Sequence, residues 1–339
     1  MKIISTEDPV DASAGFDLLP AVRFQKLHLK DVENRCPPKT KTLGRLLRLR
    51  RAILDTNPTL VLGFKDMGAI QALQAMIGCR VPIIAIEHNN PDLQPMSPRN
   101  SRLRTFLYPR AASVVFLTEG AKNCFPVRIR AKAAVIPNAV IQPIDNFTPP
   151  AIGRDPNRKY VIGLGRLDPI QKRFDRLIEA FAMIAQRHPS WILEIWGEGS
   201  ARESLTTQIQ SLGIRDRAHL MGVTAESDAV VKSSDLLVLS SEFEGFGLVI
   251  AEALACGTPV VSFDCPFGPS EIVRHRVDGL LVPHRDVAAL ANAMSELMAD
   301  DELRRSMSER GPEVTERFDF EDVMGKWNQL FTDVLELAH

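Results

Sequence analysis

The chain has 339 residues, 45% of them apolar and 24% charged, the composition of a globular protein large enough for two α/β domains. No apolar run approaches the ~18–20 residues of a membrane-spanning helix, and the first residues carry acids where a secretory leader has an apolar core. The net charge of −1 hides an asymmetry: residues 1–150 hold 21 Lys+Arg against 12 Asp+Glu, a net +9, which leaves −10 for residues 151–339. A basic half of this kind suits an anionic partner.

In chain order, short apolar runs predict strands at 60–64, 81–87, 113–117 and 134–136. A second series follows at 160–165, 191–196, 219–221, 236–239, 259–263 and 280–282. Amphipathic stretches between them predict helices, among them 172–187, 201–212, 248–255 and 287–297. Apolar strands alternating with helices indicate parallel sheets covered on both faces. Residues 142–156 are proline-rich and aperiodic, and read as a linker. The expectation is α/β, with two Rossmann-like doubly wound domains and a cleft between them. Residues 1–143 are expected to form the N-terminal domain, 144–157 the linker and 158–318 the C-terminal domain. A C-terminal helix in 319–339 packs back toward the N-terminal domain. Cys36, Cys79, Cys124, Cys256 and Cys265 are odd in number and scattered. They fit neither a disulfide framework nor a zinc site, and point to the cytoplasm.

Residues 240–262 read S-S-E-F-E-G-F-G-L-V-I-A-E-A-L-A-C-G-T-P-V-V-S. A strand ends near Ser240, glycines at Gly245 and Gly247 make a tight turn, and a helix opens at Leu248. Glycines admit a ligand close to the backbone, and the free N–H groups of the helix start attract an anion. One glutamate near a glycine turn is an ordinary surface feature; Glu244 and Glu252 within this whole string suit two parts of one ligand. Val161 to Arg166 reads as a strand running into a glycine loop, with Lys172 six residues further on at a predicted helix start. Two cations there suit a diphosphate. Residues 196–200, W-G-E-G-S, end another strand with glycines that leave room for a base.

These motifs resemble the retaining family-4 (group 1) glycosyltransferases of the GT-B fold, of the bacterial surface-polysaccharide type. E-G-F-G-L-V-I-A-E resembles that family's E-x7-E motif, and G-R-L-D-P-I-Q-K its diphosphate loop. The resemblance covers residues 80–339. It implies that Arg166 and Lys172, with Gly247, Leu248 and Val249, bind the donor diphosphate and that Glu252 binds the ribose. Glu244, Gly245 and Phe246 then meet the donor sugar, Gly197 and Met221 the base, and His88, at the end of strand 81–87, the transferring sugar. His88 and Glu244 are the catalytic candidates; Glu244 orients the sugar and is not a nucleophile. Residues 264–271, D-C-P-F-G-P-S-E, are similar to a variant that favours UDP-sugars. Residues 117–121 and 135–138 match segments around the cleft and hinge.

The implied function is transfer of a sugar from a nucleoside-diphosphate sugar, a UDP-sugar by preference, to a glycan or lipid-linked glycan acceptor. Transfer proceeds with retention, as in a hexosyltransferase (EC 2.4.1) of cell-surface polysaccharide biosynthesis. No cofactor or metal is expected, since no D-x-D triplet is present and the cations serve the diphosphate. The alternatives are a sugar-nucleotide epimerase of the same fold and a catalytically degenerate nucleotide-binding partner subunit. Two basic amphipathic stretches, one with Arg45, Arg48 and Arg51 and one with Arg99, Arg102, Arg104 and Arg110, suit an anionic membrane surface on the cytoplasmic side. Nucleic acid is not expected. Residues 2–5 resemble the family's second strand, so the N-terminal domain is expected to lack its first strand and glycine-rich loop.

Overall fold

The computed structural model describes residues 2–5, 23–27, 41–88, 96–141 and 154–337. They fall into two compact units: Met1–Phe116, Lys122–Val135 and Trp327–His339 form the first, Leu117–Ala121 and Ile136–Lys326 the second. Most of the predicted linker, residues 142–153, lies outside the described residues.

In the first unit, β1 (Lys2–Ser5) pairs in parallel with β2 (Arg23–Lys26). A separate four-stranded parallel sheet runs β3 (Val61–Phe64), β4 (Ile83–Glu87), β5 (Ser113–Phe116) and β6 (Ala133–Val135), in that order. Among the described residues the β1–β2 pair is not hydrogen-bonded into this sheet. Helices α1 (Lys41–Leu54), α2 (Lys65–Ala75) and α3 (Pro98–Leu107) join these strands. Ser97 caps α3 by accepting from the Asn100 N–H. All five residues of β4 are buried, which is why its sequence is continuously apolar up to Glu87. A short helix, α4 (Glu119–Asn123), follows β5, and its first residues, Glu119–Ala121, belong to the second unit.

The second unit is built on six parallel strands: β7 (Lys159–Leu164), β8 (Trp191–Trp196), β9 (Ala218–Gly222), β10 (Leu236–Leu239), β11 (Val260–Phe263) and β12 (Gly279–Val282). Their order is β12-β11-β10-β7-β8-β9. Successive side chains of a strand point to opposite faces. Leu236 and Val238 therefore join a core under α5 (Phe174–Ile184), α6 (Arg202–Ser211) and α9 (Val287–Ala299), while Leu237 and Leu239 join another under α7 (Ser227–Lys232) and α8 (Leu248–Ala255). The chain then runs through a C-terminal helix, α10 (Phe320–Glu336).

The elements predicted from the sequence are present, with one shift that matters. The helix expected from 172 starts at Phe174, because Arg173 takes a left-handed φ of 49° and leaves Lys172 in the preceding loop. That loop is tied down by Asp168, whose carboxylate accepts the N–H groups of Ile170 and Gln171. The Gln171 bond in particular holds the Asp168 carboxyl below its usual range.

Candidate functional site

The strand order reverses at β7. The chain moves from β7 outward to β8 and β9, then returns to place β10 on β7's other side, with Leu236 opposite Val161. At such a switch point the loops leaving the two central strands diverge and open a crevice beyond their carboxyl ends. The loops that leave β7 and β10 here are residues 165–173 and 240–247, the two strings singled out in the sequence.

Glycine makes the approach of these loops possible. A Cβ on Gly197, at φ 139°, would stand 1.9 Å from the Gly165 carbonyl oxygen, so the β7 and β8 loops touch at a point where no side chain fits. Gly165 N–H donates to Trp196 O (3.0 Å) and Leu167 N–H to Glu198 O (2.9 Å), which fastens the two loops together. Gly197 is also bridged to Gly222, which sets Met221, 39% exposed, beside it.

Between the β7 and β10 loops the Lys172 ammonium donates to Glu244 Oε1 at 2.8 Å. The Ser241 hydroxyl donates to the same oxygen at 2.6 Å. Both ionic side chains are withdrawn from solvent, 15% and 7% exposed. Two residues assigned to different parts of a ligand are thus bonded to each other. Arg166 is exposed at the mouth of its loop.

Gly247 (φ 92°) ends the turn in the left-handed region and opens α8 with no side chain capping it. The main-chain N–H groups of this first turn have no intrahelical acceptor. Leu248 is exposed and Val249 half-buried, while Gly245 lies in the turn itself. Phe246 is 3% exposed and packs edge-on against Phe318 at 5.3 Å, so any contact it makes with a ligand runs through its main chain. Glu252 is half-buried on α8; burial, with repulsion from Asp228, raises its carboxyl above the usual value.

One residue in the string did not stand out in the sequence. Glu242, almost fully buried, receives Arg176 at 2.7 Å and Arg285 more closely still, with Arg173 at 3.7 Å. Burial acts to raise its carboxyl, but the Arg285 and Arg176 hydrogen bonds outweigh that and hold it below the usual range. Its main-chain N–H donates to Gln171 O at 2.7 Å. Glu242 thereby pins the β10 loop to the β7 loop and to the segment after β12. Glu271 has a comparable part: its carboxylate accepts Glu119 N–H and Gly120 N–H at the start of α4.

His88 belongs to the first unit, directly after β4, with its ring 6.2 Å from that of Phe64. Burial and the charge of Lys65 lower its pKa below 6.5, which favours the neutral imidazole. The preceding Glu87 is buried and accepts the Tyr108 hydroxyl at 2.8 Å. Arg104, read in the sequence as part of a basic surface, is instead 7% exposed, 3.7 Å from Glu87 and stacked over the Phe125 ring. It sits on the inner side of α3, where a charge is tolerated because it is paired. Arg48, Arg51, Arg99, Arg102 and Arg110 are exposed and Arg45 is half-buried.

Six parallel strands with glycine-bearing loops at the switch point define a Rossmann-like domain, and the comparisons give the chain the GT-B fold. The model of the family described as glycosyl transferases group 1 matches residues 145–314, and the chain belongs to that family. It is 34% identical over 85% of its length to an exopolysaccharide phosphotransferase of Streptomyces coelicolor, of which it spans only 30%. With the amylovoran biosynthesis glycosyltransferase AmsD of Erwinia amylovora it shares 26% identity over 88% of this chain and 85% of that protein. Among solved structures, Anabaena HepE in complex with UDP and glucose superposes with a TM-score of 0.79 at 23% identity, over 92% of this chain and 86% of that one.

Proposed function

We propose that the chain transfers a sugar from a UDP-sugar to a glycan or lipid-linked glycan acceptor during the assembly of a surface polysaccharide. The observation that carries this is the Lys172–Glu244 pair set between two glycine loops beside the uncapped start of α8. A diphosphate entering there takes Lys172 and Arg166 as cations and the α8 N–H groups as donors. Glu244, released from Lys172, then turns to the sugar hydroxyls. Glu252 takes the ribose, and the Gly197–Met221 edge the base. When the glycosidic bond breaks, negative charge grows on the departing diphosphate, and cations already in position stabilise it without reorganisation. His88 serves the transferring sugar from the acceptor-side domain, in its neutral form. On this reading the products retain the donor's anomeric configuration and no metal is needed. The UDP complex of HepE and the part that AmsD is named for in amylovoran biosynthesis support this choice of donor and pathway. The basic helix α1 of the first unit, through Arg45, Arg48 and Arg51, rests on an anionic leaflet at the cytoplasmic face.

The test is a transfer assay with labelled UDP-sugars and a panel of glycan and lipid-linked acceptors, with the anomer of the product assigned by NMR. UDP release that depends on acceptor, and an α-linked product from an α-linked donor, is the expected result. An epimerised nucleotide sugar formed without acceptor would replace the transferase reading with an epimerase.

A further inference from the structure

Phe64 ends β3 and Lys65 opens α2, with no loop residue between them. The chain turns there because Lys65 takes a φ of 57°, a left-handed conformation that glycine adopts freely and that strains a residue with a side chain. Gly63 shows which way the strand faces: a Cβ on it would stand 2.6 Å from Ala69 Cα, so that face of β3 is closed by α2. Phe64 points to the opposite face and is 58% exposed. It pairs in register with Ile86 of β4, and His88, two residues further on, returns to the same face. The two rings stand 6.2 Å apart. After burial, the charge of Lys65 is what lowers the His88 pKa, which places the ammonium near the imidazole. Among the described residues that ammonium has no hydrogen bond or ion pair. The carboxylate next to it in sequence, Asp66, accepts the Met67 N–H at 2.6 Å instead.

An exposed aromatic ring, an imidazole and an unpaired ammonium thus share the carboxyl edge of one parallel sheet, where such sheets hold their ligands. Each suits a part of one molecule. One face of a pyranose is a patch of C–H groups, which rests on the negative face of an aromatic ring. A lysine ammonium is a point charge that takes anionic oxygens without demanding one geometry. On the transferase reading above, on which this assignment rests, His88 meets the transferring sugar. The acceptor hydroxyl must come within ~3–3.5 Å of the reacting carbon, so the acceptor sugar lies next to His88 as well. We propose that Phe64 and Lys65 recognise the acceptor, and that the acceptor they select is an acidic sugar, one carrying a carboxylate or a phosphate. The Phe64 ring holds its apolar face and the Lys65 ammonium its charge. This gives the strained lysine a use that glycine, the easier residue for the turn, could not serve.

The experiment uses the full chain with UDP at saturation, so that the cations assigned to the diphosphate are occupied. Methyl glucoside, methyl glucuronide and glucose 1-phosphate are titrated by ligand-observed NMR. The variants are Lys65→Gln, Lys65→Gly, Lys65→Arg and Phe64→Ala, with Arg48→Ala as a charge-matched control, and thermal melts verify that each is folded. Lys65→Gly also relieves the left-handed strain and keeps the test open if Lys65→Gln does not fold. The parent should bind at least one acidic probe about tenfold more tightly than methyl glucoside, the low end for a charge-assisted hydrogen bond. That preference should vanish in Lys65→Gln and Lys65→Gly and survive in Lys65→Arg and Arg48→Ala. Phe64→Ala should weaken all three probes roughly 2- to 10-fold. A preference confined to methyl glucuronide supports the site with a carboxylate as the acceptor's charge, and one confined to glucose 1-phosphate supports it with a phosphate. No acid preference in the parent, a preference that survives in folded Lys65→Gln or falls equally in Arg48→Ala, or parent-like binding by Phe64→Ala overturns the proposal. A UDP titration of the same samples keeps the two readings apart: a parent that does not bind UDP refutes the donor assignment, whatever the acidic probes show.

Discussion

Replacing Lys172 by alanine separates a structural role from a ligand-binding one. The ammonium donates to Glu244 at 2.8 Å, and the carboxylate it leaves behind is only 7% exposed. Breaking a buried ion pair by removing one partner costs about 3–5 kcal/mol, because the other charge is stranded. Here the loss is smaller, since Ser241 still donates to Glu244 and Lys172 is partly open to water. An estimate of about 2–3 kcal/mol follows, or a fall of roughly 4–12 °C in the melting temperature of a unit of this size. The double variant K172A/E244A removes the stranded charge and should recover most of that loss. UDP affinity should not recover with it. A charge-assisted hydrogen bond contributes about 1.5–3 kcal/mol, so both variants should bind UDP roughly 10- to 150-fold more weakly than the parent. Scanning calorimetry and UDP titration on the three proteins read the two effects apart. If the double variant binds UDP as the parent does, Lys172 is a structural partner of Glu244 and the diphosphate assignment is wrong.

The remaining expectations concern Glu252, the glycine contact and metal. Glu252→Ala should weaken UDP binding by a similar 10- to 150-fold, and an unchanged affinity would remove it from the ribose site. The raised Glu252 carboxyl means that the folded chain holds this proton more tightly than the unfolded one, so charging Glu252 lowers stability as pH rises from 4.5 through the raised value. Ribose hydroxyls donate more strongly to the charged carboxylate than to the neutral acid, so UDP affinity should weaken as pH falls through that same window; the dependence should be flat there in Glu252→Gln, and matching curves for the two proteins would refute the assignment. Gly197→Ala pushes a Cβ into the Gly165 carbonyl at φ 139°, which should cost about 1–3 kcal/mol in denaturant unfolding and loosen UDP binding; a variant with the parent's midpoint would show that the two loops yield freely. Treatment with EDTA should leave UDP affinity and transfer rate unchanged, whereas loss that magnesium restores would mean that the cations do not suffice.

The sheets and the glycine loops were legible in the sequence because their causes are local. Apolar runs such as 83–87 and 236–239 mark buried parallel strands, and the glycines at 165, 197 and 247 mark turns that side chains would block. Pairings between distant segments were not legible. Lys172 and Glu244 read as two independent ligands and proved to be bonded to each other, while Glu242 drew no notice until arginines from three segments converged on it. Arg104 looked like its exposed neighbours on the same helix, yet it turns inward to Glu87. Helix period told where each side chain pointed relative to the next, but not which side of the helix faced the protein. The tertiary structure alone decided that, because burying a charge is tolerable only where the fold brings its partner within a few ångströms.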